Sequence, residues 1–367
     1  LSTEQTSEIQ SVVVQPGGLH PTEDRPLISF CLVAYNQEQF IREAVEGAFS
    51  QTYSPLEIIL SDDYSSDRTF EIMWEMAAAY SGPHKIITNK NEKNLGIGGH
   101  INRVVQISSG ELIVGAGGDD ISLPERTSEI YQAWIGSGKK AFSIDSAYML
   151  INECGNNLDF LPIKDLPKEQ QLLHFSKTLV NYVHGCTHAW HKKVFDVFGL
   201  LPDIAMEDLV IPPRSMLLGS VVRINKPLVK YRTHDSNIFK TSKKFTIKEG
   251  LDREIFALKD RINGAIDVVR CISEYKRTET DPSRLCYFDT CILNMQVSIG
   301  KFALRLHILT DSPVIRLYAL AKYIFLYGFQ RYDVFLVVCA VSKKAFMLIS
   351  YSRRLLRACH ILPCKGS

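Results

Sequence analysis

The chain has 367 residues, 46% of them apolar or aromatic and 22% charged, an ordinary globular composition with enough material for two domains or one elaborated one. Its nine cysteines, an odd number with no CxxC pair, suggest neither a disulfide framework nor a zinc ribbon, and a reducing cytosol is the simplest compartment. The net charge of +2 hides an asymmetry: residues 301–367 hold eleven Lys and Arg against Asp311 and Asp333, net +9, so residues 1–300 are net −7.

Residues 1–25 form a polar lead-in with Pro16-Gly17-Gly18, lacking the basic start and apolar run of a signal peptide. The run 27–36 reads as a strand buried on both faces, ending at Asn36. Phe40, Ile41, Ala44, Val45, Ala48 and Phe49 then recur at helical spacing. A second buried strand (56–60) meets the polar cluster 61–69, where Asp67 stands at the N-cap of a helix through Ile72, Met73 and Met76. A third unit repeats this grammar: strand 85–88, polar loop 89–99, helix through Ile101, Val104, Val105 and Ile107.

The fourth strand, 111–116, runs into Gly117-Gly118-Asp119-Asp120 and a helix expected from Pro124. Strands alternating with helices imply a parallel sheet with right-handed crossovers. Asn36, Asp62, Asp63, Asn94, Asp119 and Asp120 all follow their strands, so one crevice at the carboxyl edge collects them. Two adjacent carboxylates after two glycines suit a hard divalent cation, Mn²⁺ or Mg²⁺, that completes its shell with phosphate oxygens.

Further on, 141–152 reads as a strand turned back as a hairpin at 154–157. A helix covers 168–181, then a strand 183–190 and a short helix 192–199 ended by Gly199. Glu207 and Asp208 open a helix ending near Gly219, and 220–234 reads as two short strands around Asn225 to Pro227. Beyond about 245 the pattern is wholly helical, which sets a boundary at 240–250 between an α/β domain (26–240) and a helical, basic C-terminal region (245–367). In the C-terminal third, uncharged runs reach about nine residues, whereas a spanning helix needs about 20.

The pieces VAYN, SDDYSSDRT, NLGIGGHINR, GGDDISLPER, MEDL and YRTH, in this order, resemble the inverting GT-A glycosyltransferases of nucleotide-sugar family 2, over about residues 27–238. The resemblance implies a GT-A fold and transfer of a sugar from a nucleotide-diphosphate donor, a uridine one for preference, to a glycan or lipid-linked acceptor, as in bacterial surface polysaccharide synthesis. It assigns the nucleotide to Ala34, Tyr35, Asn36 and Glu38, to Asp62 and Asp63, and to Arg103. A carboxylate at 62 or 63 can accept a uracil imide, and it can equally cap the following helix. Asp120 becomes the direct metal ligand with Asp119 nearer the ribose, although the common form of the motif has a further aspartate where this chain has Gly117. His234 is placed near the diphosphate or metal. Asp208 becomes the catalytic base beside Glu207, and the strand 183–190 lines the acceptor site through His184, His188 and Trp190.

Other chemistries compete. His184, Cys186 and His188, with His191 beyond, have ligand spacing for zinc, but residues fanning along one strand face suit a tetrahedral site poorly. Nucleotidyl transfer on a similar sheet, and a non-catalytic sugar-binding module, are the rival functions. The basic C-terminal region, interleaved with apolar residues, is expected either to rest on an anionic membrane surface, as a cytoplasmic peripheral protein would, or to pack on the domain or on a second copy. No aromatic-basic groove motif points to nucleic acid.

Overall fold

The computed structural model describes residues 20–22, 25–163, 166–180, 182–202, 206–234 and 247–310. Strands β1 (Ile28–Ala34), β2 (Leu56–Asp62), β3 (Lys85–Lys90) and β4 (Leu112–Gly117) lie parallel in the order β3-β2-β1-β4. Helices α1 (Ile41–Phe49), α2 (Thr69–Ala78) and α3 (Gly96–Ile107) make the crossovers. Alternation along β1 sends Phe30 and Leu32 to one face, against α1, α2 and α4 (Arg126–Gly136), and Cys31 to the other, against α3. With both faces covered, β2 is buried at every position, and its one charged residue before the strand end, Glu57, is paired with the Ser29 hydroxyl. Register sets Ala34 beside Asp62 and Val33 beside Gly117, so the strand ends that carry polar residues share one edge.

The second half of the sheet is mixed. Strands β5 (Ile121–Ser122), β6 (Ala141–Ile151), β7 (Asn157–Leu161), β8 (Ala189–His191) and β9 (Ser220–Arg232) complete nine strands in the order β3-β2-β1-β4-β8-β6-β9-β5, with β7 paired to β6. The hairpin after residue 152 is present. The expected strand 183–190 is not: a 3₁₀ turn at Gly185–Thr187 precedes a three-residue strand that wedges antiparallel between β4 and β6. Residues 220–232 form one strand rather than two. β9 runs parallel to β6 along the length of both, and Asn225 and Lys226 are absorbed as an irregularity, since Ser146 pairs with Ile224 and Ala147 with Pro227. A Pro is tolerated at such a position because the ladder is already broken there.

Four helices close the face opposite α1. They are α5 (Lys168–Thr178), α7 (Glu207–Leu218), α8 (Ile247–Lys276) and α9 (Pro282–Thr310), with the short α6 (Lys193–Phe198) beside them. Leu209, Val210 and Ile211 of α7 and Leu172 and Phe175 of α5 share one core with Val268 and Ile272 of α8 and Phe288 and Met295 of α9. The helices after the expected boundary at 240–250 are therefore packed into the same core as the sheet. Among the described residues no helix is long and apolar enough to cross a membrane. Residues 1–19 of the lead-in and the basic stretch 311–367 lie outside the described residues.

Candidate active site

β4 ends against β1 closely enough that a Cβ on Gly118 would stand 2.6 Å from the Ala34 Cβ, so glycine is needed there by contact. The chain then turns and presents Asp119 and Asp120. Asp120 is buried, and its Oδ1 accepts a hydrogen bond from the Arg232 backbone N–H at 2.9 Å. The Arg232 side chain, fully buried, donates through Nε to the Asp119 carbonyl (3.0 Å) and through its other nitrogens to the Glu153 carbonyl (2.7 Å) and Glu43 Oε2 (2.9 Å). His234 Nε2 lies 3.0 Å from Asp119 Oδ2, with its ring against Phe40 at 4.7 Å. The end of β9 thus brings Arg232 and His234 to a pair of carboxylates more than a hundred residues away in sequence.

Burial, and then the neighbouring Asp119 charge, raise the pKa of Asp120 well above the usual carboxylate range. Such a pair gains from a cation, which would favour the charged form of Asp120. A Cβ on Gly117 would stand 2.8 Å from Asp119 Oδ1 and 3.4 Å from Asp120 Oδ2, so the missing aspartate leaves a small cradle between the two. Among the described residues no three His, Cys, Asp or Glu side chains converge to hold an ion by themselves. A hard cation held by one or two carboxylates and by donor phosphate oxygens fits that donor set.

At the neighbouring strand ends two loops are laced together. Asn36, at φ 52°, accepts from Ser66 N (2.9 Å) and donates its own backbone N–H to Ser65 Oγ (2.8 Å). Glu38 accepts from Arg68 N (3.0 Å) and donates its backbone N–H to Asp67 Oδ2 (3.1 Å). Ala34 is buried and its carbonyl accepts from Asp63 N, whereas Tyr35 is half exposed. Asp62 is fully buried; its Oδ2 accepts from Ser65 N (2.9 Å), its Oδ1 has no hydrogen-bond partner among the described residues, and burial raises its pKa.

Asp63 does cap a helix, though not the one that follows it. Its oxygens accept from Asn91 Nδ2 (2.8 Å), Leu95 N (2.9 Å) and Gly96 N (3.0 Å), which fixes the start of α3. Arg103, half-buried on α3, donates to Asn89 Oδ1 at 3.3 Å.

The acidic pair opens α7. The turn Gly185–Thr187 lies directly against it, because a Cβ on Gly185 would overlap Glu207 Oε1 and approach Asp208 Oδ2 to 3.7 Å. Burial raises the pKa of Glu207, and Asp260 on α8 raises it further. His184, at the head of the turn, is 43% exposed, stands 3.8 Å from Asp145 Oδ2 and meets Tyr148 edge-on at 5.0 Å.

Two of the three expected acceptor residues are placed elsewhere. His188 is fully buried with Nε2 on Ser143 Oγ (2.9 Å), and its pKa is depressed by burial to about 4. Trp190 is buried in the core against Gly115 and Phe195. Both follow from β8 being an interior strand, whose neighbours on either side leave it no open edge. The same break dissolves the zinc spacing, since His191 turns away to Glu111 (3.2 Å).

Sequence reasoning missed Asp145, Tyr148 and Tyr231. Tyr148 and Tyr231 meet edge-on at 5.6 Å, and the pKa of each hydroxyl is raised by burial and by Asp120; Asp145 receives Arg223 at 2.7 Å and the Thr187 hydroxyl. The signal was the alternation in 141–151 and 228–232, but it becomes informative only once β6 and β9 are known to be neighbours.

Residues 29–198 match the family described as Glycosyl transferase family 2. An uncharacterized glycosyltransferase of Rickettsia typhi is 27% identical over 220 residues, 59% of this chain and 67% of its own length. One of Haemophilus influenzae is 26% identical over 294 residues, 77% of this chain and 89% of its own. Against one of Methanocaldococcus jannaschii, 31% identical over 159 residues, the chain spans about half (53%) of the relative's length. Among solved structures, residues 1–349 of S. aureus TarS in complex with UDP-GlcNAc superpose with a TM-score of 0.50 at 13% identity, covering 89% of this chain and 91% of that one, a likeness of fold. Residues 29–198 thus carry the match to glycosyl transferase family 2, the relatives they resemble are glycosyltransferases, and the chain has a GT-A fold.

Proposed function

We propose that the chain transfers a sugar, with inversion, from a uridine-diphosphate donor to a hydroxyl of a glycan or lipid-linked acceptor, in the assembly of a bacterial surface polysaccharide, and that it needs Mn²⁺ or Mg²⁺ to do so. The observation that carries this reading is the convergence of Asp119, Asp120, Arg232 and His234 at the carboxyl end of β4. Asp120 and His234 would hold the cation, which when bound offsets the charge of the departing diphosphate. The loops around Ala34, Tyr35, Asn36, Glu38, Asp62, Asp63 and Arg103 surround the nucleotide, with Asp62 Oδ1 as the buried acceptor still open to an imide N–H. Asp119 takes the ribose side of the pair.

Asp208 takes the proton of the acceptor hydroxyl as its oxygen attacks the anomeric carbon, while the bond from that carbon to the diphosphate oxygen breaks on the opposite side. Glu207 lies beside it on the same helix turn. His184, exposed over the acidic pair, faces the acceptor. The basic residues of 311–367, among them Arg316, Lys343, Lys344, Arg353, Arg354 and Arg357, would hold the protein on an anionic membrane surface where a lipid-linked acceptor is found. Screening UDP- and GDP-sugars for release of the nucleoside diphosphate, with and without chelator, tests the reading; undiminished turnover in excess chelator, or release of pyrophosphate from a nucleoside triphosphate instead, overturns it.

A further inference from the structure

Helix α7 begins at Glu207 with Met206 as its N-cap residue, and a methionine side chain cannot accept the backbone N–H groups that a helix start leaves open. The acceptor comes from another element. Asp260 of α8, 2% exposed, takes the Met206 N–H at 2.8 Å through Oδ1. This contact belongs to a continuous face. Asp260, Gly264, Asp267 and Cys271 follow at helical spacing along α8 and are turned to α7 and its approach. A Cβ on Gly264 would stand 3.4 Å from Val210 Cγ2 and 3.7 Å from the Leu209 Cβ, ordinary van der Waals contact, so this position of α8 faces the first turns of α7. Further along, Asp267 Oδ2 takes the buried Arg214 of α7 through Nε (3.1 Å) and a terminal nitrogen (2.8 Å), while that arginine also donates to the Gly199 and Leu200 carbonyls. α7 is thus clamped to α8 at its middle and capped by α8 at its start.

We propose that Asp260 is a positioning residue for the acidic pair: it fixes the first turn of α7 through Met206, and it sets a third carboxylate close to Glu207. This deepens the reading of Glu207 and Asp208 as the catalytic pair and rests on it. Hydrophobic packing alone would hold α8 in place, so a buried carboxylate at 260 is a cost in stability that needs a reason. Burial lifts its own pKa to about 6, against an Arg261 charge that lowers it. The other groups near the pair are Asp260 of α8, with Arg261 beside that carboxylate, and the Gly185–Thr187 turn headed by His184.

The experiment compares full-length Asp260→Asn and Asp260→Ala with the parent. An asparagine keeps an oxygen for the Met206 N–H and loses the charge; alanine loses both. The carboxyl carbons of ¹³C-labelled protein, with Glu207 assigned through Glu207→Gln, are titrated by NMR, and UDP release from UDP-N-acetylglucosamine and UDP-glucose is followed against pH. In Asp260→Asn the Glu207 titration should move down by about half a pH unit or more, as expected on removing a close like charge. Its melting temperature at pH 7.5 should match or exceed the parent's, because a raised-pKa carboxylate destabilises the fold above its folded pKa. In Asp260→Ala turnover should fall further, with the KM for donor little changed. If the Glu207 titration is unmoved in the asparagine variant, or if alanine changes only the melting temperature, Asp260 is a helix cap and nothing more. Should Asp208→Asn keep full turnover while the titration shift is seen, the catalytic reading falls and takes this proposal with it; should Asp208→Asn abolish turnover with no shift in Asp260→Asn, the proposal alone falls.

Discussion

Asp208 and Asp120 are both buried carboxylates, and the proposed function gives them different roles. For Asp208, replacement by Asn keeps the shape but cannot take a proton; turnover should drop by about 10² to 10⁴, the usual worth of general-base assistance, with donor affinity nearly unchanged. Steady-state UDP release measures this, and a larger loss in Glu207→Gln would reverse the roles inside the pair. For Asp120 the support is Arg232, whose side chain ties β9 to the Asp119 carbonyl, the Glu153 carbonyl and α1 through Glu43. Arg232→Met should cost about 1–3 kcal/mol in denaturant unfolding, because buried acceptors lose their donor, and should weaken Mn²⁺-dependent UDP binding measured by calorimetry. Much of this was legible residue by residue: Asp119, Asp120 and His234 do come together. Asp63 was legible as a cap or a ligand, but not as the cap of α3, since its partners at 91–96 lie beyond any local pattern.

At the scale of elements, the approach of α7 to β9 is fixed by Gly219. A Cβ there would overlap the Lys140 carbonyl oxygen and stand 2.6 Å from the Phe142 ring, and neither the backbone oxygen nor a ring held in the sheet can retreat cheaply. Gly219→Ala should therefore lower stability by about 1–3 kcal/mol, read as a fall in the denaturant midpoint at constant slope. The first four strands were legible because each is a short run centred on apolar residues and followed by a helical repeat, a pattern that local sequence alone encodes. β8 and β9 were not. Three residues make too short a strand to show a period, and the Asn225–Pro227 irregularity imitates a turn until the parallel partner β6 is seen running past it. His188 and Trp190, expected to line the acceptor site, are buried because their three-residue strand lies in the sheet interior between β4 and β6.

For the molecule as a whole, two buried histidines govern acid stability. His188 and His100 have pKa values held down by burial to about 4, against about 6.5 in an unfolded chain. The sign follows: the unfolded state binds protons first, so their contribution is complete above about pH 6.5 and is lost as the pH falls toward 4. Asp260, raised by burial, acts in the opposite sense between its folded value of about 6 and the unfolded one of about 4. The deficit of His188→Gln relative to the parent, measured by thermal unfolding, should accordingly narrow as the pH is lowered through that window. The basic stretch gives a separate outcome. Vesicles containing phosphatidylserine should float the full chain in a salt-sensitive way, and exchange of Lys343, Lys344, Arg353, Arg354 and Arg357 for Glu should abolish it; equal flotation of both proteins, or of neither, removes the membrane role.

The strand order has a consequence for how the protein is made. β1 to β4 are mutual neighbours and are all complete by residue 117, whereas β6 and β5 wait for β9, and the acidic pair waits for α8. A chain leaving the ribosome can therefore close the β1–β4 half of its sheet first and the half that carries α7 last. Nascent chains stalled with about 160 residues exposed should already protect the β1–β4 unit from protease, and only those that have released α8 should turn over donor. A chain stopped short of α8 should therefore hold a formed β1–β4 sheet and show no turnover.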